Sequence, residues 1–192
     1  MSVLSSGFLQ PGTEAFGFSL PDVNNNLVAL SDFKGSKALL IVFMCNHCPY
    51  VRHVIGPLRD MIEEYQKKGL AAVGINANDI TTYPQDAPLH MKEWAGELRF
   101  TFPYLHDESQ DVAKLYGAAC TPDFFLFDEK HRLAYQGQFD ASRPGNSIPV
   151  TGEDLRRAVD AVLAGKKPKG EQRPSMGCSI KWKEGNEPDY YL

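Results

Sequence analysis

Cys45 and Cys48 stand two residues apart in the stretch MCNHCPYV, residues 44–51. A pair at that spacing can hold a metal ion, close a structural bridge, or exchange electrons as a dithiol and disulfide. A structural zinc takes four ligands and the pair supplies two. No second CxxC and no HxxxH occurs, and Cys120 and Cys178 are far away in sequence. His47, between the thiols, is poorly placed to join them on one tetrahedral ion. No metal and no cofactor is expected, with a copper-carrying module kept as the metal alternative. A structural bridge here would close a very short loop, constrain the unfolded chain little, and be opened in a reducing compartment. Redox exchange is the chemistry the context favours.

The elements around the pair strengthen that choice. KALLIVFM, residues 37–44, is an unbroken apolar run of strand length, suited to a strand buried on both faces. After the cysteines, Val51, Val54, Ile55, Leu58, Met61 and Ile62 recur at helical spacing, Gly69 is a C-terminal cap, and Pro57 should kink or restart the helix. LAAVGIN, 70–76, is a second buried strand, making 37–76 a strand–helix–strand unit with a parallel crossover. A CxxC beside such a unit is a fairly specific redox signal. At this junction the helix N-terminus is expected to face Cys45 and lower its thiol pKa, with protonated His47 adding a second positive influence. Cys45 then attacks and Cys48, one turn into the helix, resolves.

Further along, LHMKEWAGEL (89–98) and SQDVAKLYG (109–117) read as helices with a short strand, FPYLHD (102–107), between them. Residues 123–140 read as a β-hairpin, and Thr151 opens a helix in which Asp154 is placed for a capping box. AFGFSL and NLVAL, either side of PDVNNN, form an N-terminal hairpin, followed by a loop where Ser31 could cap one helical turn. Residues 166–192 show no sustained period and read as an extended tail on the 1–165 domain, anchored by Ile180, Trp182 and Tyr190.

The bulk properties set limits. At 192 residues, 43% hydrophobic and 23% charged, the chain can fill one globular domain. A net charge of −4 with no basic block gives no reason to expect nucleic acid. No apolar stretch approaches membrane-spanning length, and the N-terminus lacks the pattern of a secretory signal. Four cysteines are too sparse for a disulfide scaffold, so the cytoplasm is the expected address.

On these residues the chain resembles the thioredoxin superfamily, specifically its peroxiredoxin-like branch, the alkyl hydroperoxide reductase/thiol-specific antioxidant group. The strand–CNHC–helix junction, CTPDFFLFD at 120–128, and the hairpin and helix after it carry the likeness. GINAND, YPQD and GCSIKWKEGNEPDYY extend it to a narrower group of thioredoxin-like redoxins over nearly the whole chain. The resemblance implies an α/β thioredoxin fold, a central mixed sheet flanked by helices. It implies a cis-proline at Pro122, where the backbone of Thr121 meets an incoming peptide or thiol partner. Its partners are a disulfide-bearing protein or small thiol substrate and a cellular thiol reductant, with neither nucleic acid nor membrane involved.

Two departures from the family pattern matter. In the peroxiredoxin pattern P-x-x-x-T/S-x-x-C, placing Cys48 as the cysteine puts Cys45 at the hydroxyl position and Ile41 at the proline, which speaks against efficient peroxidase activity. Thioredoxins also carry a buried acid before the CxxC. KALLIVFM has none, so any base for Cys48 comes from the loop holding Asp79 and Asp86, from His53, or from water. Thiol–disulfide exchange is the main expectation, and an antioxidant peroxide reductase or a copper-binding or redox-sensing module are the alternatives. Cys120 is a further resolving thiol or a buried small residue, and Cys178 a packed tail residue or third redox partner. Asn76, Asn78 and Asp79 follow a buried strand and line the site or simply make a turn. Arg52 and His53 tune Cys45 or face water. His90, His106 and His131 are scattered, without ligand spacing.

Overall fold

The computed structural model describes residues 3–5, 7 and 9–191. Along the chain, β1 (Val3–Ser5), β2 (Ser19–Pro21) and β3 (Leu27–Ala29) precede β4 (Ala38–Phe43). Then come α1 (Pro49–Gln66), β5 (Leu70–Asn76), α2 (Pro88–Glu97), β6 (Tyr104–His106), α3 (Asp111–Leu115) and β7 (Cys120–Thr121). The chain continues through β8 (Asp123–Asp128), β9 (Leu133–Gly137), α4 (Glu153–Leu163) and β10 (Met176–Ser179).

Every residue of β4 is buried, as an apolar run without alternation requires of a central strand. β4 lies in the middle of a five-stranded mixed sheet ordered β6-β5-β4-β8-β9. It runs parallel to β5 and antiparallel to β8, so 38–76 is the expected parallel crossover. Strand alternation divides the core. Leu40 and Val42 pack with Val51, Leu58, Met61, Leu155 and Val159 of α1 and α4. Leu39, Ile41 and Phe43 face the other layer with Tyr116, Phe125, Ile180 and Trp182, where Phe43 and Phe125 meet edge-on at 5.7 Å between ring centres. β2 and β3 form the N-terminal hairpin, its turn held by Asp22 Oδ1 accepting the Asn24 and Asn26 N–H groups, each at 2.8 Å.

Four local expectations are corrected. α1 runs through Pro57 from Pro49 to Gln66 without restarting. The turn at Leu30–Phe33 is fixed by Asp32 rather than Ser31, because the Asp32 carboxylate reaches back to the Ala29 N–H at 2.8 Å. The capping box at Asp154 does not form, since its Oδ2 accepts from Gln138 Nε2 at 2.7 Å. Asp140 Oδ2 instead takes the Thr151 and Gly152 N–H groups (2.7 and 2.6 Å), and Gly152 sits at φ +69 where a Cβ would strike the Phe139 ring.

The fourth concerns the C-terminal segment, which is not wholly irregular. β10 lies between β1 and β7 in a small antiparallel sheet. Before it, the chain covers the outer edge of β9, with the Gln138 N–H donating to Arg173 O (2.9 Å) and Ser175 Oγ to Gly137 O (2.7 Å). After it, Ile180 and Trp182 are buried, and the Tyr190 hydroxyl donates to Ala118 O at 3.1 Å. At the opposite edge of the large sheet, Asp22 bridges Leu105 and the Val23 N–H donates to Tyr104 O (3.1 Å).

Candidate active site

Beyond Phe43 the chain leaves the sheet, and Cys45, Asn46 and His47 form a short loop before Cys48, the N-cap of α1. Pro49 opens the helix, where its missing N–H costs nothing. Cys48 therefore takes the helix N-terminus. The Val51 amide at the start of the helix favours the Cys48 thiolate, and the Cys48 carbonyl accepts the first helical bond from Arg52 N at 2.9 Å. Cys45 lies three residues upstream and misses those amides. The expectation that the helix would lower the Cys45 pKa is thereby reversed.

Both thiols are buried, Cys45 1% and Cys48 0% exposed, and they hydrogen-bond one another. The Thr121–Pro122 peptide is cis and passes directly over them. Thr121 Oγ1 is 3.5 Å from Cys45 Sγ, and Thr121 O is 3.1 Å from Cys48 Sγ, where it accepts from the thiol when that is protonated. Burial pushes the Cys45 thiol well up, with its hydrogen bond to Cys48 and the Asp86 charge adding to the rise. Cys48 moves the other way, because hydrogen bonding with the Cys178 and Cys45 thiols, and then the influence of Thr121 and of the Val51 amide, favour its thiolate and outweigh burial.

His47 extends the site sideways. Its Nδ1 is 2.5 Å from Asp86 Oδ2 and 3.9 Å from Cys45 Sγ, and its ring stacks on Tyr83. Asp86 is fully buried and compensated by four contacts. Besides His47 Nδ1, it accepts from Asn46 N (2.9 Å), His47 N (3.3 Å) and Asn78 Nδ2 (2.8 Å). Such a carboxylate accepts the Nδ1 proton and so fixes the tautomer and the orientation of the ring beside the sulfur. Asn76 Nδ2 donates to Asp86 O at 2.8 Å, and Asn78 Oδ1 accepts from Lys181 N at 2.8 Å, so both asparagines build this wall. Asp79 is spent on its own turn, accepting from Thr81 N and Thr82 Oγ1.

Cys45, His47 and Asp86 are also the group among the described residues whose donor atoms all lie within 4.8 Å of one another. The 2.5 Å contact between His47 and Asp86 is hydrogen-bond length, shorter than the roughly 3.3 Å that separates two ligands of one tetrahedral ion.

The remaining candidates separate clearly. Cys178 joins the pair, because β10 sets it in register opposite Thr121. Cys120 is buried one residue earlier on β7, its thiol 3.8 Å from Pro122 O. Arg52 Nε donates to Asn46 O at 2.8 Å and so braces the cysteine loop. His53 pairs with Ser142 Oγ (2.7 Å) in the wall of a small pocket beside Pro122, which Tyr50, Phe124 and Arg143 also line. His90 is exposed, His131 is half-buried, and His106 is buried in β6. The sequence reading passed over Tyr83 and considered Asp86 only as a base for Cys48. The signal was present in NAND and YPQD, polar residues packed densely after a buried strand.

A model described as the AhpC/TSA family matches residues 11–136. Alkyl hydroperoxide reductase E of Mycobacterium tuberculosis is 30% identical over 165 residues, covering 81% of this chain and 97% of that protein. The crystal structure of an uncharacterized conserved protein from Geobacillus kaustophilus superposes with a TM-score of 0.93 at 49% identity, over 95% of this chain and 97% of that one. A thiol:disulfide interchange protein of the thioredoxin family from Chlorobium tepidum gives a TM-score of 0.62 at 20% identity, over 82% and 99% of the two chains, a likeness of fold alone. The architecture is the thioredoxin fold.

Proposed function

The chain belongs to the AhpC/TSA family, and from that premise we propose that it is a thiol–disulfide oxidoreductase whose Cys45 and Cys48 cycle between dithiol and disulfide. Its family and fold make it a thiol-based oxidoreductase. The observation that carries the finer reading is the placement of the two sulfurs, one at a helix N-terminus and one beside a histidine–carboxylate pair.

Cys45 is the attacking sulfur in this proposal. It flanks His47, whose Nδ1, held by Asp86, lies 3.9 Å from the sulfur and sets a polar group beside the charge that develops as Cys45 loses its proton. The Cys45 thiolate attacks a substrate disulfide. The substrate bond breaks, one substrate sulfur leaves and takes up a proton, and a mixed disulfide remains. Cys48 then attacks Cys45, the second substrate sulfur leaves as a thiol, and the Cys45–Cys48 disulfide forms. With its pKa lowered by its neighbours, Cys48 needs no buried acid in β4 to remove its proton. A cellular dithiol restores the pair and is itself oxidised. The substrate is a disulfide-bearing protein or small disulfide that lies against Thr121 and Pro122, and the site of action is the cytoplasm. With both sulfurs buried, the 44–48 loop must yield for the substrate to reach Cys45.

The low Cys48 pKa also favours a second reading, peroxide reduction. There the Cys48 thiolate attacks the O–O bond and becomes a sulfenic acid, an alcohol or water leaves, and Cys45 condenses with it, releasing water. One experiment separates the two. The reduced protein is presented, in single turnover, with a model protein disulfide and with a hydroperoxide. Exchange predicts that the disulfide is consumed faster and that Cys45→Ser abolishes its turnover. Faster consumption of the peroxide, with sulfenic acid trapped on Cys48 in Cys45→Ser, would replace it by the peroxidase reading.

A further inference from the structure

The C-terminal strand brings a third sulfur to the pair. β10 pairs with β7 so that Cys178 stands opposite Thr121, the residue that touches Cys45 through its hydroxyl and Cys48 through its carbonyl. The approach is close enough to require glycine at position 177, where a Cβ would lie 1.9 Å from Thr121 O. The Cys178 sulfur hydrogen-bonds with that of Cys48 and receives the Tyr50 N–H from the first turn of α1. It is 2% exposed and belongs to the same buried cluster as Cys45 and Cys48.

We propose that Cys178 is a third redox thiol, which exchanges with the Cys45–Cys48 disulfide and moves it to Cys48–Cys178. The inference rests on the dithiol reading above and adds a second oxidised form to it. In the step, the Cys178 thiolate attacks the Cys48 sulfur, a Cys48–Cys178 bond forms, and the Cys45–Cys48 bond breaks. Cys45 leaves as a thiolate and takes up the proton that Cys178 gave. No electrons are gained or lost overall, so no outside oxidant is needed. The product fastens β10 covalently to the start of α1 and frees Cys45 to attack again, while its resolving partner is occupied. A substrate caught by Cys45 in that form stays attached until a reductant opens Cys48–Cys178. The third thiol thus converts a turnover enzyme into one that retains its substrate under oxidising conditions.

The test is disulfide mapping of the full chain after mild oxidation with diamide, acid quenching, alkylation and non-reducing proteolysis. The expected result is both Cys45–Cys48 and Cys48–Cys178 linkages in the wild type, only the first in Cys178→Ser and only the second in Cys45→Ser. The proposal is overturned if Cys178 is fully alkylated in the wild type while Cys45–Cys48 forms. If neither linkage forms in the wild type, the dithiol reading falls as well. Should Cys45→Ser fail to fold, the wild-type map decides alone.

Discussion

The opposite shifts of the two thiols, Cys48 lowered and Cys45 raised, are the residue-scale feature from which most of the chemistry follows. Four neighbours favour the thiolate on Cys48, the Cys178 thiol foremost. Titrating the reduced protein by thiolate absorbance near 240 nm is therefore expected to show one thiolate persisting below pH 7. The signal should vanish in Cys48→Ser. The same shift acts on stability. A thiol whose pKa falls on folding supports the fold above its unfolded value, about 8.5, and withdraws that support as pH drops toward the folded value. Cys45 and Cys178, both raised, support the fold while protonated and oppose it above about 8.5. The reduced protein should be most stable near pH 8.5, with the acid-side slope flattened in Cys48→Ser. Asp86→Asn removes the charge that four donors surround. The expected cost is about 2 kcal/mol of stability and a roughly tenfold slower disulfide turnover, equivalent to about 1.4 kcal/mol. Its pH profile should shift, which a purely structural role for Asp86 would not produce.

At the scale of elements, the long-range partner of each segment decided what could be foreseen. β4, α1 and β5 declare themselves because their own residues carry the period, and the Asp123–Gly137 hairpin because its strands are adjacent. β10 does not. MGCS has no alternation to read, and it becomes a strand only because β7, more than fifty residues earlier, offers its backbone. The loop with Asp86 was similarly opaque, since its function depends on a histidine thirty-nine residues away. The helix N-terminus was visible, but which cysteine occupied it turned on a three-residue offset that periodicity does not resolve. Gly177→Ala tests the strand directly. The Cβ clash with Thr121 O is expected to cost about 3 kcal/mol, a fall of roughly 6–12 °C in Tm, and to suppress the Cys48–Cys178 linkage. A variant with unchanged Tm would show that β10 does not press on the cis-proline segment.

For the molecule as a whole, the C-terminal segment is a structural member and not an appendage. Lys181 O accepts from Asp79 N and from Gln110 Nε2 at 2.7 and 2.9 Å, while Ile180 and Trp182 fill one face of the large sheet. A chain ending at Gly165 would expose that face and leave buried polar groups without partners. It is expected to lose cooperative thermal unfolding and to bind the dye ANS; a sharp, two-state melt would contradict this. Among the described helices none is long and apolar enough to cross a membrane.

The coverage at each margin of the five-stranded sheet has its own consequence. Where Arg173 and Ser175 lie along one flank and Asp22 and Val23 along the other, the outermost strands find much of their main-chain bonding within the same chain. A second molecule arriving there meets a seam already stitched, so crowding in the cell offers this fold little template for ribbon-like growth into fibres.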